Sequence, residues 1–179
     1  MLIALGESVV SIGTGASDQP LVPALLTAMA LGILLAAGVW WTYFDADDAR
    51  GEHAMSRASG PERATLAIRA YSYAHLVMIA GIVTAAAGMA QVIADASLGA
   101  LPATAWLLSS GIAVYLLGAS AFRRVLRIAP AGARLVGAVF VLATGPIAAL
   151  AGSLAQLATV VAILVVMLTV EHRRDAAAE

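Results

Sequence analysis

Cysteine and lysine are both missing from this 179-residue chain, and only 12% of its residues are charged. Without cysteine there is no disulfide framework and no thiolate metal site. The three histidines, His53, His75 and His172, show no H-x-x-x-H spacing, so no metal centre is expected. Nucleotide loops are lacking too: there is no Walker motif, and Gly13-x-Gly15 is far short of a dinucleotide fingerprint. No G-x-S-x-G nucleophile elbow occurs. The sequence therefore argues for no enzyme and no cofactor.

Apolar side chain is what the sequence has in excess. It makes up 61% of the residues, against roughly 45–50% in a soluble domain. Mean hydropathy is +0.92. A compact soluble chain of this size keeps too much surface to hide that much apolar area. Disorder is excluded by the same richness. Lipid is the solvent for most of this protein.

A stretch of about 20 apolar residues crosses a hydrocarbon layer as a helix. On that rule the sequence predicts an all-α transmembrane bundle of about six segments in a single domain. They cover residues 2–16, 21–44, 66–94, 102–122, 134–150 and 154–170, with a polar loop over 45–63. The first is short for a full crossing at about 1.5 Å per residue. Pro146 should kink the fifth segment. Helices in lipid need small residues to approach one another, and Gly32, Gly81, Gly111, Gly118 and Gly137 supply them.

All ten basic residues are arginine. They fall in three polar segments, 45–69, 123–134 and the C-terminal Arg173-Arg174, while the connections near Asp18, Asp95 and Gly152 hold none. With six segments these two groups alternate across the membrane without exception. The positive-inside rule then puts both termini and both basic loops in the cytoplasm. The net charge of −1 argues against nucleic acid as a partner.

Ionisable groups at membrane depth are costly and mark candidate functional residues. Glu7 stands in an apolar run with Ser11 one turn on. It reads either as a proton-binding or cation-coordinating carboxylate or as a structural polar contact. His75 shares a helical face with Tyr71 and Ser72, and reads as a proton-exchanging group or a neutral hydrogen-bonding one. Asp45 and Arg69 are placed at the cytoplasmic mouth, either facing water or paired across neighbouring helices. Glu171, at the last membrane boundary, is expected to be solvated. The polar groups concentrate on the first three segments, and the last two look nearly all apolar.

Several of these stretches together resemble the bacterial low-temperature-requirement A family. The similar motifs are Leu5-Gly6-Glu7-Ser8-Val9-Val10 with Gly13, then Trp40-Trp41-Thr42-Tyr43-Phe44-Asp45. Glu52-His53, Arg69-Ala70-Tyr71-Ser72-Tyr73-Ala74-His75-Leu76, Ala80-Gly81-Ile82 and Phe122-Arg123-Arg124 follow in the same order. The resemblance implies a polytopic bacterial inner-membrane protein of a family named for growth in the cold. It also implies further helices ahead of the Leu-Gly-Glu motif, so that this sequence corresponds to a C-terminal half. A proton- or ion-dependent transporter, or half of one, is the first functional expectation. A non-transporting protein of envelope stress or cold adaptation is the second. Besides the lipid bilayer, the expected partners are the missing N-terminal half or a second copy of the chain.

Overall fold

The structure is a computed structural model that describes residues 1–17, 19–45, 47–94, 102–128 and 131–176. It is helical, with no strand among the described residues. The helices are α1 (Leu2–Ala16), α2 (Pro23–Phe44), α3 (Asp47–Arg57), α4 (Gly60–Ala67), α5 (His75–Ala94), α6 (Pro102–Val125), α7 (Gly132–Leu142), α8 (Gly145–Ala151) and α9 (Ser153–Ala176). A π-helical segment, Ile68–Ala74, joins α4 to α5.

Five helical stretches among the described residues are long and apolar enough to cross a membrane. They are Pro23–Arg57, Gly60–Ala94, Trp106–Val125, Gly132–Ala151 and Ser153–Asp175. The sixth expected segment is α1, which is apolar but only 15 residues long. Large apolar side chains such as Ile3, Leu21, Leu76, Val139 and Leu150 stand exposed, as they do when the outer solvent is hydrocarbon.

Two stretches differ from the sequence expectation. The polar region 45–63, expected as a loop, is largely helical. Asp47 and Asp48 in the first turn of α3 and Arg57 in its last complement the helix dipole. Pro61, at the start of α4, sits where its missing N–H removes no helical bond. The fifth segment is broken outright. Pro146 has no N–H to give to Leu142, and its ring crowds that carbonyl. So α7 stops at Leu142, Thr144 Oγ1 donates to the Val141 carbonyl at 2.7 Å, and α8 restarts with proline in its first turn. Gly152, at φ +92°, then reverses the chain into α9.

The α5–α6 pair forms the centre of the bundle and is held by backbone proximity. A β-carbon at Gly81 would strike the backbone of Tyr115 and Gly111. One at Gly88 would strike Leu108, and one at Gly111 would strike Ala85. Only glycine permits this approach, and the contact area it opens is what drives association where water cannot. Around the pair, α1 packs on α5 and α2, while α9 packs on α2, α7 and α8. The span of α6 is the most buried of the five, which makes it the internal helix. Its Leu108, Ile112, Tyr115, Leu116 and Phe122 are all enclosed.

Candidate functional site

The polar centre lies at the arginine-rich end of the bundle. Asp47 of α3, Arg123 of α6, Arg134 of α7 and Glu171 of α9 form a closed ionic ring, and none is more than 4% exposed. Arg123 donates through Nε to both oxygens of Asp47, at 2.8 and 3.0 Å, and through Nη1 to Glu171 at 3.2 Å. Arg134 donates through Nη1 to Asp47 at 2.6 Å and through Nε to Glu171 at 3.2 Å. Its Nη2 donates to the Thr42 carbonyl at 2.7 Å, bringing α2 into the cluster. Each arginine bridges both acids, and the ring is formally neutral.

That neutrality explains how four charges survive here. An isolated buried ion is expensive to desolvate, and only good geometry with every donor used offsets that cost. The planar guanidinium suits the task because its donors fork towards two carboxylates at once. Local dipoles help two members: Asp47 sits in the first turn of α3 and Arg123 in the last of α6. Arg134 and Glu171 occupy the opposite, unfavourable helix ends, so their placement depends on the ring itself.

Towards the membrane interior the network continues through hydroxyls. Tyr115 Oη donates to the Val39 carbonyl at 2.8 Å and accepts a short hydrogen bond from Thr42 Oγ1. These bonds fasten α6 to α2 directly beneath the ring. Above it, a cavity of about 20 Å³ bordered by Asp45, His172 and Asp175 has room for one water.

Phe122, next to Arg123, carries the cluster sideways into an aromatic group. His75 packs edge-on against Phe122, with centroids 5.3 Å apart, and stacks on Tyr71 at 5.3 Å. His75 Nδ1 lies 2.9 Å from the Ala70 carbonyl and Nε2 lies 3.0 Å from Tyr43 Oη. A carbonyl can only accept, so Nδ1 carries the proton, and in the neutral ring Nε2 accepts from the tyrosine hydroxyl. The Ala70 carbonyl is five residues back, within the π-helical segment; such widened turns recur at functional positions. An open cleft lined by Met1, Leu2, Ile3, Tyr43, Phe44 and His75 adjoins this pair.

The residues singled out from sequence fall in several places. His75 and Tyr71 are brought together. Ser11 is buried on α1, but no hydrogen bond joins it to His75 among the described residues. Glu7 is not buried in the bundle: it is exposed on the outer face of α1, with no side-chain partner among the described residues. That face turns away from α2 and α5 because Leu5 and Ile12 take the inward positions. Asp45 and Arg69 are both exposed and form no ion pair with each other. Asp45 instead borders the small cavity over the ring.

Glu171 is the clearest correction, since it is enclosed rather than solvated. Arg134 and Glu171, at the boundaries of the last two apolar spans, supply half of the ring. Spacing had no means to show this, because the ring closes across 37 to 87 residues of sequence. The available signal was Glu171 itself, an acid directly after the apolar run that ends at Val170.

No curated protein and no solved structure matches the chain. The family described as Bacterial low temperature requirement A protein (LtrA) matches residues 1–169. The match covers α1 through most of α9, including Asp47, Arg123 and Arg134 of the ring. This multi-pass membrane protein therefore belongs to the bacterial low temperature requirement A family.

Proposed function

We propose that the chain is a proton- or ion-dependent transport protein of the bacterial inner membrane, with the Asp47–Arg123–Arg134–Glu171 ring as its cytoplasmic gate. The observation that carries this reading is the ring's burial. Four ionised side chains are enclosed where α2, α3, α6, α7 and α9 converge. Enclosing four charges carries a desolvation cost that ordinary helix packing does not require. A neutral ring suits a gate because its members exchange partners as helices part, and a proton or cation competes for Asp47 and Glu171 when they do. The Tyr43–His75 pair packs on Phe122 beside the ring and borders an open cleft, which gives a small cation or water a route to this end of the bundle.

The outer face of α1 supports a partner. Ile3, Glu7 and Val10 share that face, and the β-carbon positions of Gly6 and Gly13 meet open space. A carboxylate turned to hydrocarbon calls for a polar group from another chain, either a second copy or a separate N-terminal portion.

The test is proton and monovalent-cation flux into proteoliposomes. Wild-type flux should be lost in Asp47→Asn and in Glu7→Gln, and retained in Glu52→Gln, whose carboxylate is exposed and outside the ring. Equal loss in all three, or no wild-type flux from inserted and folded protein, would sink the transport reading. The second reading, a non-transporting protein of envelope or cold adaptation, is favoured by one observation. The cavities beside the ring and between α1, α2, α5 and α6 are only about 20 and 10 Å³. On that reading Asp47→Asn lowers stability and changes no flux.

A further inference from the structure

A second arginine cluster lies outside the ring and is used by none of the above. A cleft of about 770 Å³ opens between α3, α4 and the end of α6. Arg50, His53, Arg57 and Arg127 line it, and Glu62 is its one acidic residue. Its floor is apolar, formed by Ala54, Ala58, Leu66, Val125, Leu126 and Ile128.

Two features show that this cleft is under-occupied by the protein's own groups. Arg50 spends Nη2 on Asp175 at 2.8 Å, but its Nη1 is buried with no hydrogen-bond partner among the described residues. Buried donors are nearly always satisfied, and an orphaned guanidinium nitrogen lacks an acceptor. Arg57 and Arg127 form no ion pair among the described residues. The single carboxylate of Glu62 does not balance these cations.

Arg127 adds backbone evidence. It is the one non-glycine residue with positive φ, at +56°, among the described residues. The Ile128 N–H returns to the Arg123 carbonyl at 2.8 Å, closing α6 with the left-handed cap that glycine normally provides. A side chain at this position is held against a conformational penalty, and here the residue lines the cleft.

We infer that this cleft binds a phosphate-bearing anion, with Arg50, Arg57 and Arg127 as its ligands and the apolar floor taking the carbon part of the molecule. Guanidinium groups pair with phosphate oxygens through two parallel donors, so two from α3 and one from the end of α6 lining a single cleft select phosphate over a single carboxylate. The shared chemistry has two sources. An anionic phospholipid headgroup is available at the membrane surface where the polar α3–α4 region emerges, and a free phosphoanion is available in solution.

The test uses the full chain purified in neutral detergent and reconstituted in phosphatidylcholine vesicles. Thermal unfolding is followed against inorganic pyrophosphate, and separately against an increasing fraction of phosphatidylglycerol. A ligand that binds only the folded state raises Tm. At least one probe should do so, with about tenfold weaker apparent affinity for Arg57→Gln and Arg127→Gly. Arg173→Gln, whose side chain is not part of the cleft lining, should leave it unchanged. Arg127→Gly should also raise the unliganded Tm by relieving the left-handed position, which distinguishes a lost ligand from a lost fold. Response to phosphatidylglycerol alone identifies the headgroup, to pyrophosphate alone the soluble anion, and to both the common phosphate chemistry. No response to either probe, or equal weakening by Arg173→Gln, overturns the inference.

Discussion

Arg134 at the start of α7 reaches Asp47 at the start of α3 through a 2.6 Å hydrogen bond that spans 87 residues of sequence. The two residues are 1% exposed each, and neither has an acceptable environment without the other. Everything at this end of the bundle is arranged around that contact. Arg123 repeats it from α6, and Glu171 closes the circuit from α9.

Arg134→Met should therefore destabilise the folded bundle by about 3–5 kcal/mol, because it leaves two buried carboxylates sharing one guanidinium. The check is thermal or denaturant unfolding in detergent. The charge-balanced double variant Asp47→Asn/Arg134→Gln should lose clearly less than the sum of its single variants, since the ring members act as one unit. Strict additivity would mean that the ring is not coupled.

Glycine substitutions should separate by position. Gly81→Ala places a methyl against the backbone of α6 and should cost about 1–3 kcal/mol. Gly6→Ala meets nothing within 4 Å and sits in the interior of α1, so in the isolated chain it should be neutral or stabilising by up to about 1 kcal/mol. Paired melting curves decide it, and a reversed order would contradict the close α5–α6 approach.

The α8–α9 reversal offers a backbone test. Gly152 adopts φ +92° and ψ 160°, a region closed to residues with a β-carbon. Open space around it removes any steric argument from neighbours. Gly152→Ala should thus cost on the order of 1–3 kcal/mol through the backbone alone. The same replacement at Gly13, which is helical and also uncrowded, should not destabilise.

Tyr43 and His75 make a spectroscopic prediction. With Nδ1 bonded to the Ala70 carbonyl, nitrogen NMR of labelled His75 should show the Nδ1–H tautomer when the ring is neutral. Tyr43→Phe removes the partner of Nε2 and should shift that nitrogen while leaving Nδ1 in place. Stability should fall by about 1 kcal/mol, the net value of one such bond. An unmoved Nε2 signal would show that the pair is not formed.

Residues 21–44 and 154–170 were legible as spans because twenty apolar side chains in a row have one economical solution in lipid, and the helices found there match. Glycine at 81, 111 and 118 was legible as a packing signal for the same reason. The helicity of residues 47–57 was not, since their polarity resembles a loop and only end charges favour the helix. His75 with Tyr71 was readable from a spacing of four on one helix. The ionic ring was not, because its members lie on four helices and periodicity reports only neighbours along one.

Hydropathy alone determined that this chain is a multi-pass helical protein, since unbroken apolar runs of about 20 residues cross hydrocarbon as helices, whereas barrel strands are about half that length and alternate in polarity. Motif order pointed to the family. Which arginines are solvated and which are enclosed was decided only when α3, α6, α7 and α9 met. Arg123 and Arg124 are adjacent in sequence, yet one is buried against two carboxylates and the other is exposed. A rotation of about 100° per helical residue separates them, and only the packed bundle says which side faces in.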